Sequence, residues 1–304
     1  MTESATIAFQ VLDLMTPILL AALAGALCER AGLFNVALEG MMLVGAFSAI
    51  SAASLLGSTP AGVLVAIFVT VVFALPMAIG ATWFKGDSVV LGIGLNLLAA
   101  GLTAYLLSPM FGVRGTYFPV GLATLPRIEL PLIGDIPFLG DILSGHELLD
   151  YASWLGTVLL GLFLFRTPLG LRLRGIGEDT AAAEAMGTNV NLYQAATVLV
   201  GGALCGLAGA KLALGSITLF SEGMTAGRGW IAVVAVMLGR AHPLGVLAAC
   251  LIFGFADAMG LRLQGQGLPN QLTDAAPYAI TLLAVIAVSM RPAHRKSPTS
   301  SLVQ

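Results

Sequence analysis

The sequence predicts an all-α polytopic membrane protein, a single transmembrane domain over residues 1–304 with about 8–10 transmembrane helices, some of them half-length or re-entrant. Three observations carry this. Of 304 residues, 58% are hydrophobic and only 10% charged, against about 25% charged in a soluble domain. Apolar runs close to the roughly 20 residues that cross a bilayer recur along the chain. Between two of these runs lies a long polar interruption, 166–190, carrying Arg166, Arg172, Arg174, Glu178, Asp179 and Glu184. Unpaired ions are costly in hydrocarbon, so that stretch belongs in water between two spanning helices.

In order, the apolar segments run over residues 7–28, 36–57, 60–84, 89–108, 148–165, 192–214, 228–240, 243–262 and 276–290. The seventh is short and reads as a half-helix or a re-entrant segment. In the fourth, Gly92, Gly94 and Asn96 predict an interruption, which a membrane tolerates only against protein or a cavity. Small residues Gly202, Gly206 and Ala210 give the sixth segment a face for close helix packing. Cys28, Cys205 and Cys250 show no paired spacing and read as small core residues. The first ten residues, M-T-E-S-A-T-I-A-F-Q, lack the basic region of a removable signal peptide.

Orientation follows from the basic residues. With 166–190 in the cytoplasm, Arg30, Lys85, Arg166, Arg172, Arg174, Arg240, Arg291, Arg295 and Lys296 lie inside, and Arg114, Arg127, Arg228 and Arg262 outside. That split predicts the N-terminus out and the C-terminus in, with Lys211 ambiguous and 291–304 a short basic cytoplasmic tail. The other long break, 109–149, is acidic and proline-interrupted, with Pro119, Pro126, Pro131 and Pro137. It predicts an external loop with a short helix and a cap over an entrance, or a loose connection.

Sites of bond chemistry are missing from the pattern. There is no G-x-x-x-x-G-K-[ST] phosphate loop, no H-E-x-x-H and no G-x-S-x-G. His146, His242 and His294 fall in loops or near segment ends, poorly placed to ligate one metal. An enzyme is a poor reading. A short echo, Glu39-Gly40-Met41 and Glu222-Gly223-Met224, stands in different halves and fits either inverted repeats or chance.

Polar residues within apolar segments are the remaining leads, because burying a carboxylate demands a partner, a cavity or a shifted pKa. Asn35 and Glu39, four apart, fit one polar stripe of a helix; Glu39 suits a pathway gate or a packing hydrogen bond equally. Asn96, among glycines, suits close approach to a ligand. Asp257 suits helix tying more than substrate contact, and Asp13, near a segment end, can reach water. In the polar loop, E-D-T-A-A-A-E-A-M-G predicts a short helix over 178–187. Glu178 and Asp179 complement its first turn, Gly187 ends it, and Ala182, Ala185 and Met186 form a face. Such a face suits docking in a soluble partner's groove or mere solvation.

Several stretches resemble a known family. E-R-A-G-L-F-N-V-A-L-E-G-M-M-L-V-G-A at 29–46, the whole of 166–190, G-G-A-L-C-G-L-A-G-A at 201–210 and G-R-G-W-I-A-V-V-A-V-M-L-G-R-A-H-P-L-G at 227–245 look like ABC import permeases of the branched-chain amino acid, ribose and nucleoside type. Within it, E-G-M-T-A-G-R-G-W and I-P-F-L-G-D-I-L are most similar to the shorter permease of bacterial nucleoside importers. The resemblance implies a multi-pass subunit in the bacterial cytoplasmic membrane and no ATP hydrolysis in this chain. Implied partners are an ATP-binding cassette subunit, a second related permease, a substrate-binding lipoprotein and the lipid bilayer. It implies no cofactor, metal or nucleic acid. Glu178, Asp179, Ala182, Ala185, Met186 and Gly187 would dock on the ATPase, while Asn35, Glu39, Asn96 and Asp257 are the candidates for the translocation path. The family's coupling region often opens G-E-N-P, whereas here Gly177 and Glu178 are followed by Asp179 and Thr180. Riboflavin, a sugar or a branched-chain amino acid are alternative cargoes. A stand-alone ion-coupled transporter, with Glu39 and Asp257 carrying the ions, is the alternative of another class.

Overall fold

A computed structural model describes residues 3–129 and 139–264. Its long helices are α1 (Glu3–Arg30), α2 (Leu38–Leu56), α3 (Thr59–Thr82), α4 (Ser88–Phe111), α6 (Leu148–Arg166), α9 (Val190–Leu214) and α11 (Pro243–Gln264). Among the described residues these seven are long and apolar enough to cross a membrane, so the chain is a multi-pass membrane protein. Shorter elements are α5 (Leu139–Leu143), α7 (Pro168–Glu178), α8 (Thr180–Ala185) and α10 (Arg228–Leu238). The expected ninth segment, 276–290, and the 291–304 tail lie outside the described residues.

Helices α1, α2 and α9 form the centre, and α3, α4 and α6 expose apolar faces such as Phe68, Leu97, Tyr105 and Leu159. Small residues set the spacing at the centre. A Cβ on Gly209 would collide with the Met42 carbonyl of α2, and one on Gly206 would come within 2.8 Å of the Ala66 carbonyl of α3. Backbones this close gain van der Waals contact, which replaces the hydrophobic drive that lipid removes. Hydroxyls inside the helices satisfy themselves on the preceding turn, as Thr70 does on Ala66 and Thr103 on Ala99.

The predicted break in the fourth segment does not occur, since α4 is continuous. The irregular backbone instead lies next to it, at 31–37, where the chain leaves α1 and α2 has not begun. Gly92 lets that backbone approach, with its Cβ position 3.0 Å from the Ala37 nitrogen. Asn96 donates from Nδ2 to the Val36 carbonyl at 3.0 Å and accepts from the Gly40 amide at 2.7 Å. The polar residues of α4 thus serve a neighbour's interruption, as buried backbone requires.

Four two-residue strands, all at one end of the bundle, were not expected from sequence. They are β1 (Thr116–Tyr117), β2 (Arg127–Ile128), β3 (His146–Glu147) and β4 (Phe220–Ser221). Antiparallel pairing joins β1 to β4 and β2 to β3. The 112–129 segment also folds onto the helix ends: Thr59 donates to the Ala123 carbonyl and Ser54 pairs with the Tyr117 hydroxyl at 2.6 Å. The expected short helix in this region is α5, only five residues long. The two Glu-Gly-Met echoes differ locally, since Glu39 lies in the first turn of α2 and Glu222 in a turn before α10.

Candidate functional site

Of the four path candidates, three surround the 31–37 break. Asn35 is buried off the helix, its Oδ1 accepting from the Ala37 amide at 2.9 Å. Because α2 begins at Leu38, Asn35 and Glu39 do not share a helical stripe, which corrects that expectation. Glu39 reaches the start of α10. Its Oε1 accepts from the Gly227 amide at 2.9 Å and its Oε2 from the Gly229 amide at 2.7 Å. A carboxylate on free amides at a helix N-terminus is stabilised both by hydrogen bonding and by the helix dipole. Asp257, on α11, is half-buried, and the Arg228 guanidinium of the same α10 turn acts on it electrostatically. Asn35 and Asn96 therefore hold backbone, while Glu39 and Asp257 flank the entry to α10.

At the far end of α10, the Arg30 side chain closing α1 donates to two carbonyls, Ala241 at 2.8 Å and Arg240 at 2.9 Å. Arg240 and Ala241 both stand at positive φ, 52° and 49°, a costly region for residues with a Cβ. The half-helix is clasped by an acid at its N-terminus and a base at its C-terminus, the arrangement its dipole favours.

A charged cluster at the opposite end went unread in the sequence. Lys211 near the end of α9 bonds Asp13 at 2.7 Å, Glu147 at 2.9 Å and Asp150 at 2.9 Å, joining α1, α6 and α9. Glu147 and Asp150 are buried and close a capping box at the start of α6. Burial pushes the Glu147 carboxyl up, against the pull of Lys211. His146, stacked on Phe9 at 4.1 Å, is pushed down by burial. The sequence signal was a lysine inside an apolar segment, which must find carboxylates. Donor atoms of Asp13, His146 and Asp150 lie within 4.8 Å of one another. Lys211 already binds both of those carboxylates, so its charge opposes a metal there.

Beside Asp13 and Lys211 an open cavity of about 550 Å³ runs along the 216–226 segment to Arg228.

The six docking candidates lie together between α6 and α9, all exposed. The helix expected over 178–187 is divided: α7 runs through Glu178, the chain extends at Asp179 (φ −152°, ψ 100°), and α8 begins at Thr180. Asp179 caps α8, its Oδ1 accepting from the Ala182 amide at 3.0 Å, while Glu178 belongs to the helix before. Ala183 is buried with Ile176 and Val190, leaving Ala182, Ala185 and Met186 outward, Met186 at 80% exposure. Gly187 ends the turn at φ 80°. Helix α7 itself was missed, because its arginines read as a solvated loop.

Comparison with known proteins identifies the family. A model described as branched-chain amino acid transport system / permease component matches residues 7–285. The guanosine ABC transporter permease protein NupQ of Bacillus subtilis is 34% identical over 294 residues, covering 88% of this chain and 87% of NupQ. The nucleoside permease NupC of Lactococcus lactis is 32% identical, covering 89% and 88%. A putative glucose permease, TsgC13 of Haloferax volcanii, is 34% identical, covering 91% and 83%. No solved structure matches the chain. With a family model spanning nearly the whole length and relatives above 30% identity, the chain belongs to the ABC transporter permeases of the branched-chain amino acid transport family.

Proposed function

We propose that the chain is one of two related permeases in an ATP-driven importer of the bacterial cytoplasmic membrane, and that its cargo is a nucleoside. The cargo reading rests on the guanosine and nucleoside permeases among its relatives. A sugar is the second reading, favoured by the glucose permease of similar identity. A related pair in the complex is supported by a second Bacillus subtilis guanosine permease, NupP, 26% identical over 292 residues. The N-terminus faces out and the C-terminus in, as the basic residues distribute. A lipoprotein delivers cargo near 109–149.

One observation carries the coupling role. A capped, exposed six-residue helix, α8, stands between two spanning helices with Met186 outward. An outward apolar face on a short helix suits a groove of the ATPase. Motion of the ATPase dimer would then rock the bundle to open its two sides in turn, with Glu178, Asp179, Ala182, Ala185, Met186 and Gly187 as the handle.

The test reconstitutes both permeases, the ATPase and the lipoprotein in vesicles. Nucleoside uptake should need ATP, and Met186→Glu or Gly187→Glu should abolish stimulation of hydrolysis by loaded lipoprotein. Unchanged stimulation counts against the docking role. Uptake by this chain alone, driven by an ion gradient without ATP, would sink the importer reading.

A further inference from the structure

We propose that the open cavity beside Asp13 is a cargo subsite for an uncharged, hydroxyl-bearing ring compound, with α10 as its movable wall; this rests on the permease reading above. At about 550 Å³ the cavity falls within the roughly 300–1,000 Å³ of small-molecule sites. Its wall mixes apolar Leu14, Ile217 and Leu219 with the hydroxyls of Ser216 and Ser221.

The charges on its rim point to a neutral cargo. Asp13 and Glu222 are matched by Lys211 and Arg228, and each is already engaged within the protein. Lys211 is bound by three carboxylates, Glu222 accepts from the Gly115 amide at 2.9 Å, and Arg228 donates to the Met224 carbonyl at 3.5 Å and is attracted by the Asp257 carboxylate. At the cavity wall itself two acids and two bases balance, so an ionic cargo would gain no net attraction from the lining and would lose its hydration. A neutral molecule with hydroxyls loses less, and Asp13, 28% exposed, is placed to accept from one.

The wall can move as a unit. Helix α10 has 11 residues, about 16 Å of rod, and left-handed backbone at both ends. Ala226 and Gly227 stand at φ 47° and 81° before it, and Arg240 and Ala241 at 52° and 49° after it. Such conformations persist where surroundings over-determine them and concentrate at switch regions. The near end lines the cavity through Ala226 and Arg228. The far end is held by Arg30, whose carbonyl packs against Gly177 of α7. Phe165 ties the same corner, with Arg174 over its ring at 4.7 Å and His242 at 4.9 Å. One short helix thus joins the cavity to the docking loop.

The experiment uses the four-component complex in vesicles. The native cysteines of this chain are all buried, so Ser216→Cys gives it a single reachable thiol, and labelling is read on this subunit after separation from the others. Maleimide labelling should slow at least about 5-fold with saturating guanosine, and stay unchanged with leucine. Arg30→Lys should keep this protection while ATP-driven uptake falls about 10-fold with hydrolysis retained. Ser216→Trp should abolish uptake of guanosine, whereas Gly94→Ala, outside the cavity lining and with open space for its Cβ, should leave it near wild type. Labelling indifferent to guanosine in vesicles that import it overturns the subsite. Protection by leucine instead overturns the neutral-cargo assignment, and unimpaired uptake in Arg30→Lys overturns the moving wall. If the vesicles import nothing under ATP, the permease reading itself fails and the subsite with it.

Discussion

Lys211 holds its charge inside the bundle only because three carboxylates surround it. Removing the lysine would leave Glu147 and Asp150 buried against each other. Lys211→Met is therefore expected to destabilise the protein by about 3–5 kcal/mol, read as a lower unfolding temperature in detergent. Asp13→Asn should cost much less, since Asp13 is 28% exposed and water can replace its bond. A second expectation concerns pH. Burial holds the His146 pKa down, with Lys211 adding to this and Asp150 and Asp13 opposing it. The unfolded histidine takes a proton more readily than the folded one. Its contribution is complete above pH ~6.5 and is lost as pH falls towards the folded pKa. Glu147, pushed up by burial, acts in the opposite sense, its protonated form favoured in the fold. The difference between wild-type and His146→Asn melting profiles isolates the histidine, and the wild-type advantage should shrink on acidification. A constant difference would overturn the assignment.

Among the elements, α9 shows how small residues set packing. A side chain at Gly209 meets the Met42 carbonyl of α2, which cannot yield as a flexible side chain would. Gly209→Val should cost about 3 kcal/mol or more, while Gly94→Ala, where a Cβ meets open space, should be neutral in the same melting assay. For α8, Asp179→Ala removes the cap on the Ala182 amide and should loosen the helix by about 1 kcal/mol. Faster hydrogen exchange at 180–185, with the rest of the protein unchanged, checks it.

Across the whole molecule, the two ends are linked through α10, clasped by Glu39 and Arg30. Glu39→Gln keeps the shape but gives up the charge that the helix N-terminus favours. In the assembled transporter it should lower uptake several-fold while hydrolysis continues, because the loop proposed to dock on the ATPase remains intact. Equal loss of hydrolysis and uptake would instead mark a folding defect.

Much of this was legible along the chain. Eight of the nine apolar segments reappear as helices within a few residues, because about 20 apolar residues have one stable form in lipid. The exposed Met186 face and Gly187 turn were likewise local, set by periodicity and a glycine's freedom at φ 80°. What the tertiary structure decided were relations between distant residues. Asn96 proved to serve the break at 31–37, Glu39 the start of α10, and Lys211 a trio of acids from two other helices. A polar residue in an apolar segment announces that it needs a partner, since burial alone is costly. Which partner it takes depends on the packing of helices far apart in sequence, and no local pattern encodes that.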